Sequence, residues 1–310
     1  MKTCICELSS QIFGHVGMRT MRDGSLIVKP AFPSELHFYR TLAQNPHLAP
    51  LRPFIPRFLG TVEQNDDDDA CSSSQWSDSS LPPGRTEFLL MENLCHSFSK
   101  PNIIDIKLGT VFYDEDTSPD KVLRMEKTAR ETTSLETGVR LAEFQVYDNV
   151  TSEAIRTPKS YGKAMDASEL QDGIARFFPV FEPPRSRGRS NVGLPRRTLV
   201  PILRAVRKDV EKIREAYSSV EMRMVGASLL IVYEADWNRA DEGMKRIQSL
   251  AEEHAGEGKS VKRPPYVVKL IDFAHTRLTP GRGPDDGVLL GLDTMLKLLD
   301  VRIHQLVEGE

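Results

Sequence analysis

The chain contains no run of about 18 apolar residues, so nothing in it reads as a membrane-spanning helix. Its opening MKTCICELSSQIFGHVG lacks a long apolar core, and no secretory signal is expected there. Cysteine is scarce: Cys4, Cys6, Cys71 and Cys95 include no C-x-x-C pair and have no histidine at metal-ligand spacing. That disfavours a zinc site and a disulfide framework, and points to a reducing, intracellular compartment. No G-x-G-x-x-G phosphate loop occurs. Nor does one charge dominate: 41 basic residues face 44 acidic ones, net −3, so the whole molecule is no nucleic-acid binder by charge. What is present is a mixed chain of 310 residues, 39% hydrophobic and 27% charged. That is enough for one large domain or two lobes sharing a cleft.

Residues 10–30 read as a β-hairpin, with strands at 11–21 and 26–30 joined by Arg22-Asp23-Gly24-Ser25. Lys29 closes the second strand and, taken alone, is an ordinary solvated strand end. Ser34 is placed to cap a helix that Asn45-Pro46 stops, with Leu36, Tyr39 and Leu42 on its inward face. A proline-rich connection over 46–60 leads into the strand FLGTVE. Residues 64–83, with four consecutive aspartates, six serines and an isolated Trp76, read as a disordered surface loop or an acidic interaction patch. The aspartates lack the alternate spacing and glycine of a calcium loop.

Residues 101–109, PNIIDIKLG, form a short apolar strand carrying Asp105 and Lys107. The period of two puts both on one face, an acid beside a base in a segment otherwise built for burial. Before it, a strand over 86–94 ends in Glu92-Asn93-Leu94, either a plain strand end or one offering backbone groups to a purine, as a kinase hinge does. After it, 117–131 reads as a helix with Lys121, Arg124, Lys127 and Arg130 on one drifting stripe, a solvated face or a polyanion site. A strand over 138–150 carries Arg140, Tyr161-Gly162-Lys163 falls in a loop, and a helix runs from Ser168 to Phe178.

Seven arginines and no acid between Arg185 and Arg207 suggest an import signal or a polyanion-binding segment. An amphipathic helix follows over 199–217. Residues 223–235 and 265–274 are buried strands by their aliphatic runs, separated by a polar, partly helical segment. The second strand ends in Ile271-Asp272-Phe273-Ala274-His275, where Asp272 is a capping residue or a metal-binding carboxylate. A leucine stripe over 287–306 is core.

The ordered set of Lys29, Glu35, Met91-Glu92-Asn93-Leu94, PNIIDIKLG, the basic helix, Ser228-Leu229-Leu230 and Ile271-Asp272-Phe273-Ala274-His275 resembles the inositol polyphosphate kinase family. The likeness runs from about residue 13 to the C-terminus. Within the family, Asp105-Ile106-Lys107-Leu108-Gly109 followed by Tyr113-Asp114 is most similar to the multikinase group, in a fungal form. The resemblance implies an α+β, two-lobed, ATP-grasp-like kinase fold: an antiparallel-sheet N-lobe over 1–95, a larger α+β C-lobe over 96–310, and ATP between them. It implies γ-phosphoryl transfer from ATP, with Mg²⁺, to inositol 1,4,5-trisphosphate and inositol tetrakisphosphate, giving the pentakisphosphate.

Residue by residue, it assigns Lys29 to the ATP phosphates, held by Glu35, and Glu92 and Leu94 to adenine. Asp272 and Ser228 fall to the metal, Asp105 and Lys107 to catalysis, and Lys107, Lys121, Arg140 and His275 to the inositol phosphate. Thr128 stands where a second family lysine is expected, leaving Lys127 one position away. The hairpin covers the nucleotide in place of a glycine-rich loop. Two further activities follow from the likeness: a transcription-associated scaffold binding transcription factors through the acidic loop or the arginine run, and phosphorylation of phosphatidylinositol bisphosphate. A monomer in nucleus and cytoplasm is expected.

Overall fold

The computed structural model describes residues 5–7, 18–63, 87–181, 192–252 and 263–308. Five strands, β1 (Ile5–Glu7), β2 (Arg19–Met21), β3 (Leu26–Pro30), β4 (Phe58–Glu63) and β5 (Glu87–Glu92), form an antiparallel sheet in the order β1-β2-β3-β5-β4. The β2–β3 turn is tight because Gly24 takes φ +72° while its N–H donates to Met21 O at 2.8 Å. Helix α1 (Pro33–Gln44) buries Leu36, Phe38, Tyr39 and Leu42, with Tyr39 stacked on Phe58 of β4 and Phe38 stacked on Phe273.

The second sheet is built around β6 (Pro101–Leu108). Chain order then runs through α2 (Pro119–Arg130), α3 (Ser134–Thr137), β7 (Val139–Tyr147), β8 (Ala154–Thr157), α4 (Lys159–Lys163), α5 (Leu170–Phe177) and α6 (Arg196–Ser218). It closes with β9 (Met222–Val225), β10 (Ser228–Glu234), α7 (Trp237–Glu252), β11 (Tyr266–Ile271), β12 (His275–Leu278) and α8 (Asp286–Glu308). The large sheet is antiparallel in the order β11-β10-β6-β7-β8, and β9 pairs with β12 in a small separate ribbon.

Alternation along β6 sorts its side chains. Ile104, Ile106 and Leu108 are fully buried in the main core. There they join Leu199, Leu203, Val206 and Ile213 of α6 and Val288, Leu292 and Leu299 of α8. Each such side chain contributes about 1.5–3 kcal/mol by leaving water. Ile103, Asp105 and Lys107 take the opposite face, where Ile103 meets a small cluster of Leu94, Leu230 and Val232. The strand is thus anchored from one side and keeps the other for charge.

Several local expectations are corrected. Ser34 does not cap α1: Phe32 is the N-cap, and Ser34 lies in the first turn with its hydroxyl donating to Ala274 O. Pro46–Phe54 is a 3₁₀ helix rather than open connection, and it admits Pro50 and Pro53 because proline brings no N–H in need of an acceptor. Tyr161-Gly162-Lys163 lies in helix α4, not a loop. The strand expected over 223–235 divides into β9 and β10 at Gly226, whose φ of +73° turns the chain between sheets. Of the hairpin's first strand only β2 falls among the described residues, and the 64–83 segment and Arg185, Arg187 and Arg189 lie outside them. The remaining arginines of that run sit in α6, where Arg207 pairs with Asp300 at 2.9 Å and Glu211 at 2.7 Å.

Candidate active site

The site begins where β11 ends. Asp272 follows Ile271 with φ +66°, a left-handed conformation uncommon outside glycine, which asparagine and aspartate tolerate best. The bend turns its carboxylate away from the strand toward two lysines. Lys29 Nζ, from β3 of the first sheet, lies 3.4 Å from Oδ1. Lys107 Nζ, from β6 of the second, lies 2.9 Å from Oδ2. Each lysine has a second acidic neighbour: Glu35 Oε1 at 2.9 Å from Lys29 and Asp105 Oδ2 at 3.7 Å from Lys107. A ladder of five alternating charges, buried at Glu35, Lys29 and Asp105 and partly exposed at Asp272 and Lys107, therefore ties α1, β3, β6 and the end of β11 together. Burial opposes the charged form of Lys107, yet Asp105 and then Asp272 outweigh it and hold its pKa above the ordinary lysine value.

Register explains which neighbours share this face. Lys107 stands opposite Ser228 of β10 on one side and Arg140 of β7 on the other. Ser228 stands opposite Ile271, the residue before Asp272, and its hydroxyl is fully buried with no hydrogen-bond partner. Arg140 packs its guanidinium over the Phe112 ring, 5.6 Å from the centroid. Burial lowers its pKa, opposed by the charge of Asp105. Its strand is brought close by Gly138: a Cβ there would lie 2.5 Å from Gly291 N and 2.7 Å from Gly287 O of α8.

On the far side of Lys107 a cavity of about 530 Å³ opens. Asp105, Lys107, Lys121, Arg140, Lys159 and Lys163 line it, together with His275, Asp114 and Thr128. Its walls are strongly basic, as a polyanionic ligand requires. His275 Nδ1 lies 3.0 Å from Asp114 Oδ2.

The structure brings Lys29, Asp105, Lys107, Asp272 and Ser228 to one locus, and Lys107, Lys121, Arg140 and His275 to the cavity. Of the basic stripe on α2 only Lys121 reaches the cavity. Lys127 pairs with Glu131 at 3.7 Å, Arg130 with Glu126 at 3.9 Å, and the lining position belongs to Thr128. Glu92 closes β5 beside the cleft. Its N–H donates to Arg57 O at 3.1 Å, and its carboxylate accepts from Arg57 N–H at 3.0 Å and Arg263 at 3.2 Å. Its side chain is thus a brace. Leu94 is buried against Ile103 and Leu230.

Lys159 was not anticipated from the sequence. The missing signal was that 159–163 is helical, which puts Lys159 and Lys163 on one face four residues apart. That turn can lie flat on β7 because Gly162 has no Cβ to strike Leu141 O.

Two antiparallel sheets, each delivering a lysine onto one carboxylate beside a basic cavity, define a two-lobed kinase-like α+β fold. The inositol polyphosphate kinase family model matches residues 88–300. Inositol polyphosphate multikinase of Saccharomyces cerevisiae is 29% identical over 94% of this chain and 96% of its own length. Inositol hexakisphosphate kinase 1 of Rattus norvegicus is 26% identical over 69% of this chain, which spans 51% of that relative's length. Among solved structures, S. cerevisiae inositol phosphate multikinase in complex with ADP and Mn²⁺ superposes with TM-score 0.65 and 27% identity, covering 90% of this chain and 100% of that one. A second multikinase structure gives TM-score 0.54 at 18% identity over 86% of this chain and 99% of that one, a likeness of fold. The chain belongs to the inositol polyphosphate kinase family and is a kinase acting on inositol phosphates.

Proposed function

We propose that this chain is a multikinase that uses ATP and Mg²⁺ to phosphorylate inositol 1,4,5-trisphosphate and inositol tetrakisphosphate, ending at the pentakisphosphate. The observation that carries the reading is the convergence of Lys29 and Lys107 on Asp272 at 3.4 and 2.9 Å, beside the basic cavity. The likeness to the S. cerevisiae multikinase along nearly the whole of both chains favours this group over the hexakisphosphate kinases, of which the chain spans about half.

In this reading Lys29, oriented by Glu35, contacts the nucleotide phosphates, and the backbone at Glu92 and Leu94 meets adenine. Lys107 sits between nucleotide and acceptor, so it faces the transferred phosphoryl group from the acceptor's side. Asp105 is buried at the cavity wall, 3.7 Å from Lys107, where it orients the attacking hydroxyl and takes its proton. Lys121, Arg140 and His275 bind the ring phosphates.

Asp272 and Ser228 fit a divalent cation. The buried Ser228 hydroxyl lacks a protein partner, and a lone carboxylate suits Mg²⁺, which keeps waters and takes its other ligands from phosphate. Among the described residues no group of three or more His, Cys, Asp or Glu could hold a metal by itself, which agrees with a cation held largely by the nucleotide. When bound it neutralises charge on the transferred phosphoryl group. The protein's own work is positioning and electrostatic preorganisation.

The test is product analysis of purified protein with inositol 1,4,5-trisphosphate, ATP and Mg²⁺. Tetrakis- and pentakisphosphates are expected, and Asp105→Asn should lower turnover by about 10²–10⁴-fold. Unchanged trisphosphate, or pyrophosphorylated products in its place, would refute the assignment.

A further inference from the structure

Helix α2 carries Lys121, Met125 and Thr128 into the cavity, yet Ala129 is its sole buried residue among those described. So little buried apolar surface cannot fix a helix against a wall. Its C-terminal end runs directly into α3, and Thr132 and Thr133 there bond the backbone at Thr128 and Val139. Its N-terminal end hangs from the 109–118 segment, and that segment is held by charge.

Two consecutive carboxylates do the holding. Asp114 accepts from Thr117 Oγ1 at 2.6 Å and lies 3.0 Å from His275 Nδ1. Glu115 reaches Arg277 at 3.0 Å and Arg282 at 2.8 Å. His275, Arg277 and Arg282 belong to β12 or the turn after it. That platform is rigid: β12 pairs with β9, Arg223 of β9 donates to Gly283 O and Arg282 O at 2.8 Å, and the Glu221 carboxylate accepts from Gly281 N at 2.6 Å and Gly283 N at 3.0 Å. The Asp114 carboxyl is held below its ordinary value by the Thr117 hydroxyl and then by His275. That of Glu115 is held down by Arg282 and Arg277.

We infer that Asp114 and Glu115 are positioning residues: a two-carboxylate latch that docks the 109–118 segment on the β9–β12 ribbon and thereby sets the height of α2 over the acceptor. Glu115 does not line the cavity, so its effect on the acceptor runs through α2. Asp114 has a second task, since it lies 3.0 Å from His275 Nδ1 and fixes the orientation of that ring in the cavity wall. The inference rests on reading the cavity as the inositol phosphate site.

The test uses full-length protein in two arms. In the first, steady-state kinetics of Glu115→Gln should show the KM for inositol 1,4,5-trisphosphate raised about fivefold, as expected for an exposed ion-pair cluster, with kcat and the KM for ATP unchanged. The reversed cluster Glu115→Arg with Arg277→Glu and Arg282→Glu should recover much of that loss. In the second, amide hydrogen exchange of the free protein should quicken over 119–130 in Glu115→Gln and not in the reversed cluster. Unchanged exchange overturns the latch, as does a fall in kcat at unchanged acceptor KM. Exchange is read without substrate, so a wild-type protein inactive on inositol phosphates would sink the functional reading while the latch still stood or fell on exchange.

Discussion

Replacing Asp272 by asparagine separates folding from chemistry. The substitution removes the central charge of the ladder and leaves Lys29 and Lys107 facing an amide. Stripping a buried charge of its only partner costs about 3–5 kcal/mol. Here each lysine retains another carboxylate, Glu35 at 2.9 Å and Asp105 at 3.7 Å. The cost should therefore fall to about 1–2 kcal/mol. Backbone strain adds nothing, because asparagine tolerates the φ of +66° as aspartate does. Alanine lacks that tolerance and should cost about 1 kcal/mol more. Turnover, by contrast, should fall by about 10³-fold or more, since the carboxylate that orders both lysines, and to which the proposed function gives the cation, is gone. Urea unfolding of wild type, Asp272→Asn and Asp272→Ala measures the first effect, and initial rates at saturating ATP the second. An asparagine variant within tenfold of wild-type turnover would refute the assignment of Asp272. Equal destabilisation by asparagine and alanine would refute the backbone argument.

Three further outcomes are expected. Lys121→Ala should raise the KM for the inositol phosphate about tenfold, with little change for ATP, because Lys121 lines the cavity beyond Lys107; a selective rise in the KM for ATP would contradict that placement. Gly138→Ala should destabilise the protein by about 2–4 kcal/mol in urea, since its Cβ meets backbone of α8 and the position has φ +67°; a change below about 0.5 kcal/mol would mean α8 yields easily. The pKa of Lys107 is raised on folding, so its contribution to stability is complete below the ordinary value of 10.5 and is lost as pH climbs through the folded value. The stability gap between wild type and Lys107→Met should be flat across neutral pH and narrow above 10.5; a gap that widens as pH climbs above 10.5 would have the wrong sign.

Much of this arrangement is legible in the chain. A period of two puts Asp105 and Lys107 on one face wherever the strand lies, and the aliphatic residues between them anchor the other face. That Glu35 holds Lys29, six residues away, is implied by the family resemblance and not by spacing. The Asp23-Gly24 turn, the long amphipathic helices and the aliphatic strands are local patterns that burial enforces. Errors arose where local signals compete. A short proline-rich helix looks like a loop, and a glycine inside an aliphatic run hides the break between β9 and β10.

Tertiary structure alone decided which charges meet. Asp272 lies 243 residues from Lys29 and 165 from Lys107, and no periodicity links such positions. The basic stripe of α2 shows the same limit. Four cations share similar spacing, but Lys121 lines the cavity while Lys127 and Arg130 pair with the nearby Glu131 and Glu126. Helical spacing fixes neighbours along one element. Contacts between elements depend on how whole faces bury, and that is settled by the packed core as a unit.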